Sequence, residues 1–443
     1  MKLWQKNSAP DKQVDLFTTG NDRELDLLMA KHDVIGSIAH AQMLSSCGLI
    51  SAGEFHLLKK ELKIILALIE NGSFSIEDGI EDVHSQVEFM LTKKLGDTGK
   101  KIHTARSRND QSLLDIKLFI REEIQKLTGK TEELFPLLLS LAEQHSGVLL
   151  PGYTHFQVAM PSSFGLWFSA YAESLCDDLE LMLAAYRMAD KNPLGSAAGY
   201  GSSFPIDREM TTTLLGFSGM NVSSVYAQMT RGKTEKACAT AIAALAFTLS
   251  KLAADCTLYM SQNFGFISFP EHLTTGSSIM PHKKNPDVWE LIRGKCNRLQ
   301  SLPNELALLL ANLPSGYHRD LQLTKEILFP AFHEISSCMD MTILMLENIR
   351  VHAPENEDDK YKYLFTVESV NELVKKGVSF RDAYVQTGMA VENGTYVRPA
   401  SSVHTHTGSA GNLRTDLISA AFGEMKKRFS FGKAENAISA LLC

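Results

Sequence analysis

From Leu113 onward, the apolar residues Leu113, Ile116, Ile120, Ile124, Leu127, Leu134, Leu137 and Leu141 recur mostly three, four or seven apart. That spacing predicts a long amphipathic helix with one buried stripe. Pro136 falls inside it and is expected to kink it. A second stripe follows Thr234, with Ile242, Leu245, Leu249, Leu252 and Cys256 set among many alanines. Neighbouring helices can approach such a segment on several sides, so it reads as a central bundle helix. A third stripe, Leu302, Leu306, Leu309 and Leu313, starts beside Pro303 and stops at Pro314. Three helices of this kind predict a bundle.

Residues 1–105 instead alternate short helical patterns with polar breaks such as Glu70-Asn71-Gly72-Ser73 and Gly96-Asp97-Thr98-Gly99. The run from His352 to Lys360 is polar and helix-breaking, and marks a final boundary. The predicted organisation is a mainly helical N-terminal domain (1–105), a central long-helix bundle (106–351) and a small helical C-terminal domain (352–443). Gly/Ser/Pro-rich connections lie at 151–161, 192–206 and 270–286, and loops held by rigid helices are where chemistry concentrates.

Composition narrows the function classes. With 44% hydrophobic and 21% charged residues, the 443-residue chain has globular proportions and can bury a large core. A net charge of −7 supplies no basic field for a phosphate backbone, which argues against nucleic acid as a partner. The longest charge-free apolar run, between Lys236 and Lys251, has 14 residues, too short to span a bilayer. Seven scattered cysteines without paired or zinc-like spacing read as reduced thiols of a cytoplasmic protein.

The segment Gly276-Ser277-Ser278-Ile279-Met280-Pro281-His282-Lys283-Lys284-Asn285-Pro286-Asp287 carries the strongest chemical signal. Its second half is expected to start a helix, with Asn285 as N-cap, Pro286 at the first helical position and Asp287 near the positive dipole end. Backbone N–H groups and two lysines there suit a carboxylate or phosphate, with serine hydroxyls beside it. The bland alternative is a polar loop capping a helix. His404-Thr405-His406 lacks a carboxylate or cysteine cluster and is not read as a metal site. The Gly195–Gly201 stretch lacks the lysine of a nucleotide loop.

The Gly276–Asp287 segment resembles the signature of the fumarase/aspartase superfamily, Gly-Ser-Ser-x-Met-Pro-x-Lys-x-Asn-Pro. Pro151-Gly152-Tyr153-Thr154-His155 resembles its Thr-His loop, while His103 through Gln111 and Tyr317 through Lys325 resemble argininosuccinate lyases in particular. The similarity runs from about 81 to 330. Asn192 through Gly199 keeps that subfamily's Pro-Leu-Gly-Ser core. The chain departs from it at Trp4-Gln5-Lys6 and Thr18-Thr19-Gly20, where those lyases carry Trp-Gly-Gly-Arg-Phe and a substrate-binding serine, and at Tyr384, where they usually have histidine.

The resemblance implies an all-α, three-domain fold and elimination of arginine from argininosuccinate with release of fumarate, without cofactor or metal. It also implies a homotetramer whose active sites are shared between chains. By the same carry-over Ser277 is the general base, with Ser278 as the one-residue alternative. His155 is the acid or an orienter of the leaving side, Glu290 fixes its tautomer, and Lys283 makes the base's surroundings electropositive. Asn109 and Thr154 hold a substrate carboxylate, and Asn285 helps stabilise the charge that develops there. Tyr317, Gln322 and Lys325 surround the arginine portion, and Arg108 contacts the anionic substrate. The superfamily's other lyases and a non-catalytic crystallin-like scaffold are the competing readings.

Overall fold

A computed structural model describes residues 11–354, 358–399 and 404–443. Trp4-Gln5-Lys6 and the middle of the polar 352–360 run lie outside them. The chain opens with α1 (Lys12–Thr19), started by Asp11, whose carboxylate accepts the Gln13 N–H at 2.8 Å. It continues through α2 (Asp22–Ser46), α3 (Ala52–Glu70), α4 (Val83–Leu95) and the short α5 (Asp97–Lys100). Ser51 and Glu54 form a capping box that begins α3. The 37-residue α6 (Arg108–Gln144) starts from a second box, Ser107 with Asp110, and runs through Pro136 without ending there.

An antiparallel hairpin follows, β1 (Leu149–Thr154) and β2 (Gln157–Ser163), and then α7 (Phe164–Ala189). Next come β3 (Lys191–Asn192), α8 (Arg208–Leu214), β4 (Gly219–Met220), α9 (Ser224–Met229) and α10 (Lys233–Tyr259). After β5 (Ile267–Ser268), β6 (Thr275–Gly276) and β7 (Lys284–Asn285) pair as a second hairpin, leading into α11 (Asp287–Leu299) and α12 (Leu302–Leu309). Then α13 (Leu323–Glu347) and β8 (Arg350–Val351) precede four final helices, α14 (Thr366–Lys375), α15 (Phe380–Glu392), α16 (Thr415–Lys426) and α17 (Phe431–Leu442). The fold is all-α with two-stranded ornaments.

The first two stripes are buried as expected. Ile116, Ile120 and Ile124 of α6 and Ile242, Leu245 and Cys256 of α10 are fully enclosed in one core with Leu175, Trp289 and Phe332. By length and composition α10 passes for a membrane span, but most of it is buried against α7, α11, α12 and α13. The third stripe is only partly realised: α12 ends at Leu309, and Asn312 takes a left-handed φ of 65° before Leu313. The bundle is completed by α7 and α13. In α13 runs such as Ile327-Leu328-Phe329 blur the 3.6-residue period. A second core joins α2, α3 and α4 to the outer face of α6 through Leu58, Leu62, Val87, Leu114 and Leu118. The last helices return to the bundle, and Phe422 of α16 stacks on Phe135 at 3.8 Å between ring centroids.

Beneath the junction of α2, α4 and α6 lies a buried ionic network. His84 Nδ1 is 2.5 Å from Asp33 and 3.5 Å from Asp115, and Gln111 donates to Asp33 at 2.6 Å. Burial opposes charge on the imidazole, but the negative charge of Asp33, its hydrogen bond and Asp115 outweigh it, pushing His84 up to about 9. Burial raises Asp115 well above the ordinary carboxylate value, and the charge of Asp33 adds to this.

Two predictions follow from this packing. A Cβ at Gly165 would stand 2.6 Å from both the Ala142 carbonyl oxygen and the Ser146 Cα, at the crossing of α6 and α7. Gly165→Ala should therefore destabilise the protein by about 1–3 kcal/mol, read from its urea midpoint. Because the folded-state pKa of His84 lies above its ordinary 6.5, the stability it contributes is full below that value and is lost as pH rises through about 9. The stability deficit of His84→Gln should shrink across that window; a pH-independent deficit would mean the imidazole is uncharged in the fold.

Candidate active site

The first residues of α6 open onto a small cavity of about 120 Å³, whose other walls are the start of α2, residues 81–84, Arg231 and the 317–325 segment. Five of the residues singled out from sequence meet here: Arg108, Asn109, Tyr317, Gln322 and Lys325. The capping box of α6 explains part of this. Ser107 and Asp110 close the helix start, so Arg108 and Asn109 are held at its mouth.

The structure adds groups that no motif exposed: Asp22, Asp26, Glu81, Asp82, His84 and Arg231. Lys325 Nζ sits 2.7 Å from Asp22 and 2.5 Å from Asp26. Burial works against its charge, but the two aspartates prevail and raise its pKa. Arg108 bonds Asp82 at 2.8 Å and Glu81 at 3.2 Å. Burial disfavours the Asp82 carboxylate, yet His84 and Arg108 hold it down at about 2. Gln322 donates to the carbonyls of Thr18 at 3.2 Å and Thr19 at 3.1 Å, and Arg319 donates to the former at 2.6 Å. Within the chain, Lys325 and Gln322 therefore anchor the α1–α2 junction and form one wall of the cavity. The spacing of Asp22 and Asp26, one helical turn apart, and the Glu81-Asp82 pair ahead of α4 were the available signals.

The remaining predicted residues stand on two other projections. Thr154 and His155 are exposed at the tip of the β1–β2 hairpin, where Thr154 pairs with Gln157. Two residues must make that turn, and both His155 and Phe156 adopt left-handed conformations, φ 53° and 58°. Such turns favour Asn-Gly, so this one carries two unfavourable residues and displays His155 to its surroundings.

Ser277 and Lys283 flank the β6–β7 ladder, immediately beyond the paired Gly276 and Lys284. The Ser277 Oγ accepts the N–H of Met280 at 3.2 Å, and Ile279 is 82% exposed at the tip. Asn285 is not the N-cap expected for α11. Its side-chain amide donates to the Gly276 carbonyl and to Thr275 Oγ1, each at 3.4 Å, closing the hairpin, and the helix begins at Asp287 behind Pro286. The strand pairing recruits Asn285 before the helix can. Glu290 is exposed in the first turn of α11, 3.9 Å from Arg293, and makes no bond to His155 within the chain. The His404 Nε2, in the connection between α15 and α16, lies at an ion-pair distance of 3.0 Å from Glu368 of α14.

Comparison with known proteins bears on the family and the fold. A family model described as a lyase matches residues 6–301. Curated argininosuccinate lyases of Phocaeicola vulgatus and Parabacteroides distasonis are 54% and 56% identical to the chain over 441 residues, covering 100% of it and 99% of each relative. That of Stenotrophomonas maltophilia is 39% identical over 94% of this chain and 98% of its own. Among solved structures, an EDDS lyase in complex with formate has a TM-score of 0.76 at 20% identity, over 98% of this chain and 94% of that one. A class II fumarase from Schistosoma mansoni gives 0.69 at 15% identity, over 97% of both chains. Full-length identity above one half, together with the four motifs, places this chain in the argininosuccinate lyase family of the fumarase/aspartase superfamily.

Proposed function

We infer that the protein catalyses the reversible elimination of argininosuccinate to arginine and fumarate, in arginine biosynthesis. The carrying observation is the cavity at the α6 start, where carboxylates and cations alternate around Asn109 and Tyr317. A zwitterionic amino acid with a guanidinium needs both signs at close range: Asp22, Asp26, Glu81 and Asp82 suit its cationic groups, and Arg108, Arg231 and Lys325 suit its carboxylate.

Elimination requires removal of a weakly acidic C–H next to a carboxylate, and the resulting doubly charged aci-carboxylate must be stabilised by fixed cations and N–H dipoles. Ser277 takes that proton. Lys283 and Asn285, on the same hairpin, face the developing charge, Thr154 and Asn109 hold the substrate's other carboxylate, and His155 delivers a proton to, or orients, the leaving nitrogen. A pairing of Glu290 with His155 across chains fixes the imidazole tautomer. Ile279, Met280 and Phe156 form apolar tips able to cover the bound substrate.

Within one chain these groups are carried on two hairpin projections and at the start of α6, which supports a site assembled from several chains of a homotetramer. Leu181 of α7, Phe247 of α10, Leu291 of α11 and Leu308 of α12 expose 43%, 57%, 63% and 69% of their surface on the bundle helices, the apolar faces such an assembly would bury. The seven cysteines are free thiols, as suits a reducing cytoplasm.

The test is the ultraviolet absorbance of fumarate released from argininosuccinate, with adenylosuccinate and aspartate as parallel substrates. Turnover of argininosuccinate alone, lowered about 10²–10⁴-fold or more in Ser277→Ala and in His155→Ala, is the expected result. Turnover of another substrate instead would overturn the assignment. Co-refolding the two inactive variants should restore part of the activity, since some mixed sites receive both intact residues. Confirmed mixed tetramers without recovery would place Ser277 and His155 of each site on one chain.

A further inference from the structure

We propose that His84 is a substrate-binding residue, whose Nε2–H reaches into the mixed-charge cavity to hold a carboxylate oxygen. The proposal rests on the lyase reading of that cavity and names a contact which that reading leaves unassigned. His84 is the second residue of α4, and the N-cap Asp82 fixes its place by accepting the Ser85 N–H at 2.8 Å. Only 7% of the residue is exposed, and it lines the cavity.

The two ring nitrogens have opposite surroundings. Nδ1 is clamped from behind: it lies 2.5 Å from Asp33 of α2 and 3.5 Å from Asp115 of α6, and Gln111 donates to the same Asp33 oxygen at 2.6 Å. Nε2 makes no hydrogen bond among the described residues, and yet it is not an enclosed atom, so it is the end of the ring that meets the cavity. The neighbouring carboxylates are engaged elsewhere. Asp82 gives one oxygen to the Ser85 N–H and the other to Arg108, each at 2.8 Å, and the oxygens of Glu81 face Arg108 and Arg319, both at 3.2 Å. A buried donor left over in this way is costly unless a ligand completes it.

The charge on the ring decides which ligand atom suits it. Asp33, Asp115 and Asp82 face His84 with negative charge, while Arg106 and His103, from the segment ahead of α6, stand on the other side of the balance. The carboxylates prevail over burial, and the imidazole stays doubly protonated up to about pH 9, so both nitrogens are donors at neutral pH. With Nδ1–H committed to Asp33, the ring is fixed in orientation and presents a charged N–H to the cavity. Such a donor binds a carboxylate more strongly than a neutral one, and argininosuccinate brings carboxylates on both its amino-acid and its succinate portions.

The experiment is calorimetric titration of the whole protein at neutral pH with arginine and, separately, with fumarate, repeated on His84→Asn and His84→Gln. Asparagine keeps a donor for Asp33 near the Nδ1 position and removes the atom that reaches the cavity, whereas glutamine puts an uncharged donor near the Nε2 position. The expected result is that one of the two ligands binds roughly 10–100-fold more weakly to His84→Asn and loses less with His84→Gln. The ligand that responds identifies the carboxylate, arginine for the amino-acid portion and fumarate for the succinate portion. Unchanged affinities for both ligands in both variants would overturn this inference alone. An equal loss of both ligands, with fewer binding sites per chain, would also overturn it, since His84 would then only hold the fold together. Wild-type protein that binds neither ligand would overturn the lyase reading and this contact with it.

Discussion

The carboxylate of Asp110 is the point from which the rest of the site is held. It is completely buried, so its charge is tolerable only if its lone pairs are filled. One oxygen accepts the Ser107 N–H at 2.9 Å and so closes the start of α6. The other accepts the N–H groups of Gly195 and Ala197, both at 2.9 Å, and binds the connection between β3 and α8 to the same helix end. Burial still raises its pKa despite those donors, which shows how enclosed the junction is. Through this one group the longest helix of the bundle, the loop behind it and the residues Arg108 and Asn109 are fixed together.

From that junction α6 serves two cores at once. Ile116, Ile120 and Ile124 face the bundle, while Leu114 and Leu118 face α2 and α3. The polar residues between them are not errors in the pattern. Lys117 is fully buried and donates to Asn221 at 2.8 Å and to the Lys191 carbonyl at 3.1 Å; burial drives its pKa down to about 7. Arg121 lies 3.3 Å from Asp190 and over the Phe217 ring at 4.4 Å. Each ties α6 to the connections that follow α7, so the rigidity of the bundle extends into them.

The groups proposed to carry the chemistry stand on projections. A two-residue turn with left-handed His155 and Phe156 and a short β6–β7 ladder flanked by Ser277 and Lys283 contribute little to stabilising the chain and leave these side chains displayed at its surface. The cavity at α6 is the opposite case. Its charges are paired within the chain, Lys325 with Asp22 and Asp26 and Arg108 with Asp82, so under the proposed function a substrate would exchange with partners already in place. Such pre-formed pairs hold the groups at fixed positions and lower the cost of ordering them on binding.

The sequence alone determined what is local. The stripes of α6 and α10 obey the 3.6-residue period because each helix buries one face, and they were legible as Ile116, Ile120, Ile242 and Leu245. The residue strings at 103–111, 151–157, 276–287 and 317–325 carried the family, since their chemistry is written in consecutive side chains. Tertiary structure decided what depends on distant segments. It assigned Asn285 to a strand pair rather than a helix cap, ended α12 at Leu309, and recruited α7 and α13, whose apolar surfaces are too broad to show a stripe. It also brought Asp22, Asp26, Glu81, Asp82 and Arg231 to one cavity from distant parts of the sequence. A charged residue on a helix reads as solvated surface until its partner is known, and the partner is chosen by packing rather than by the neighbouring sequence.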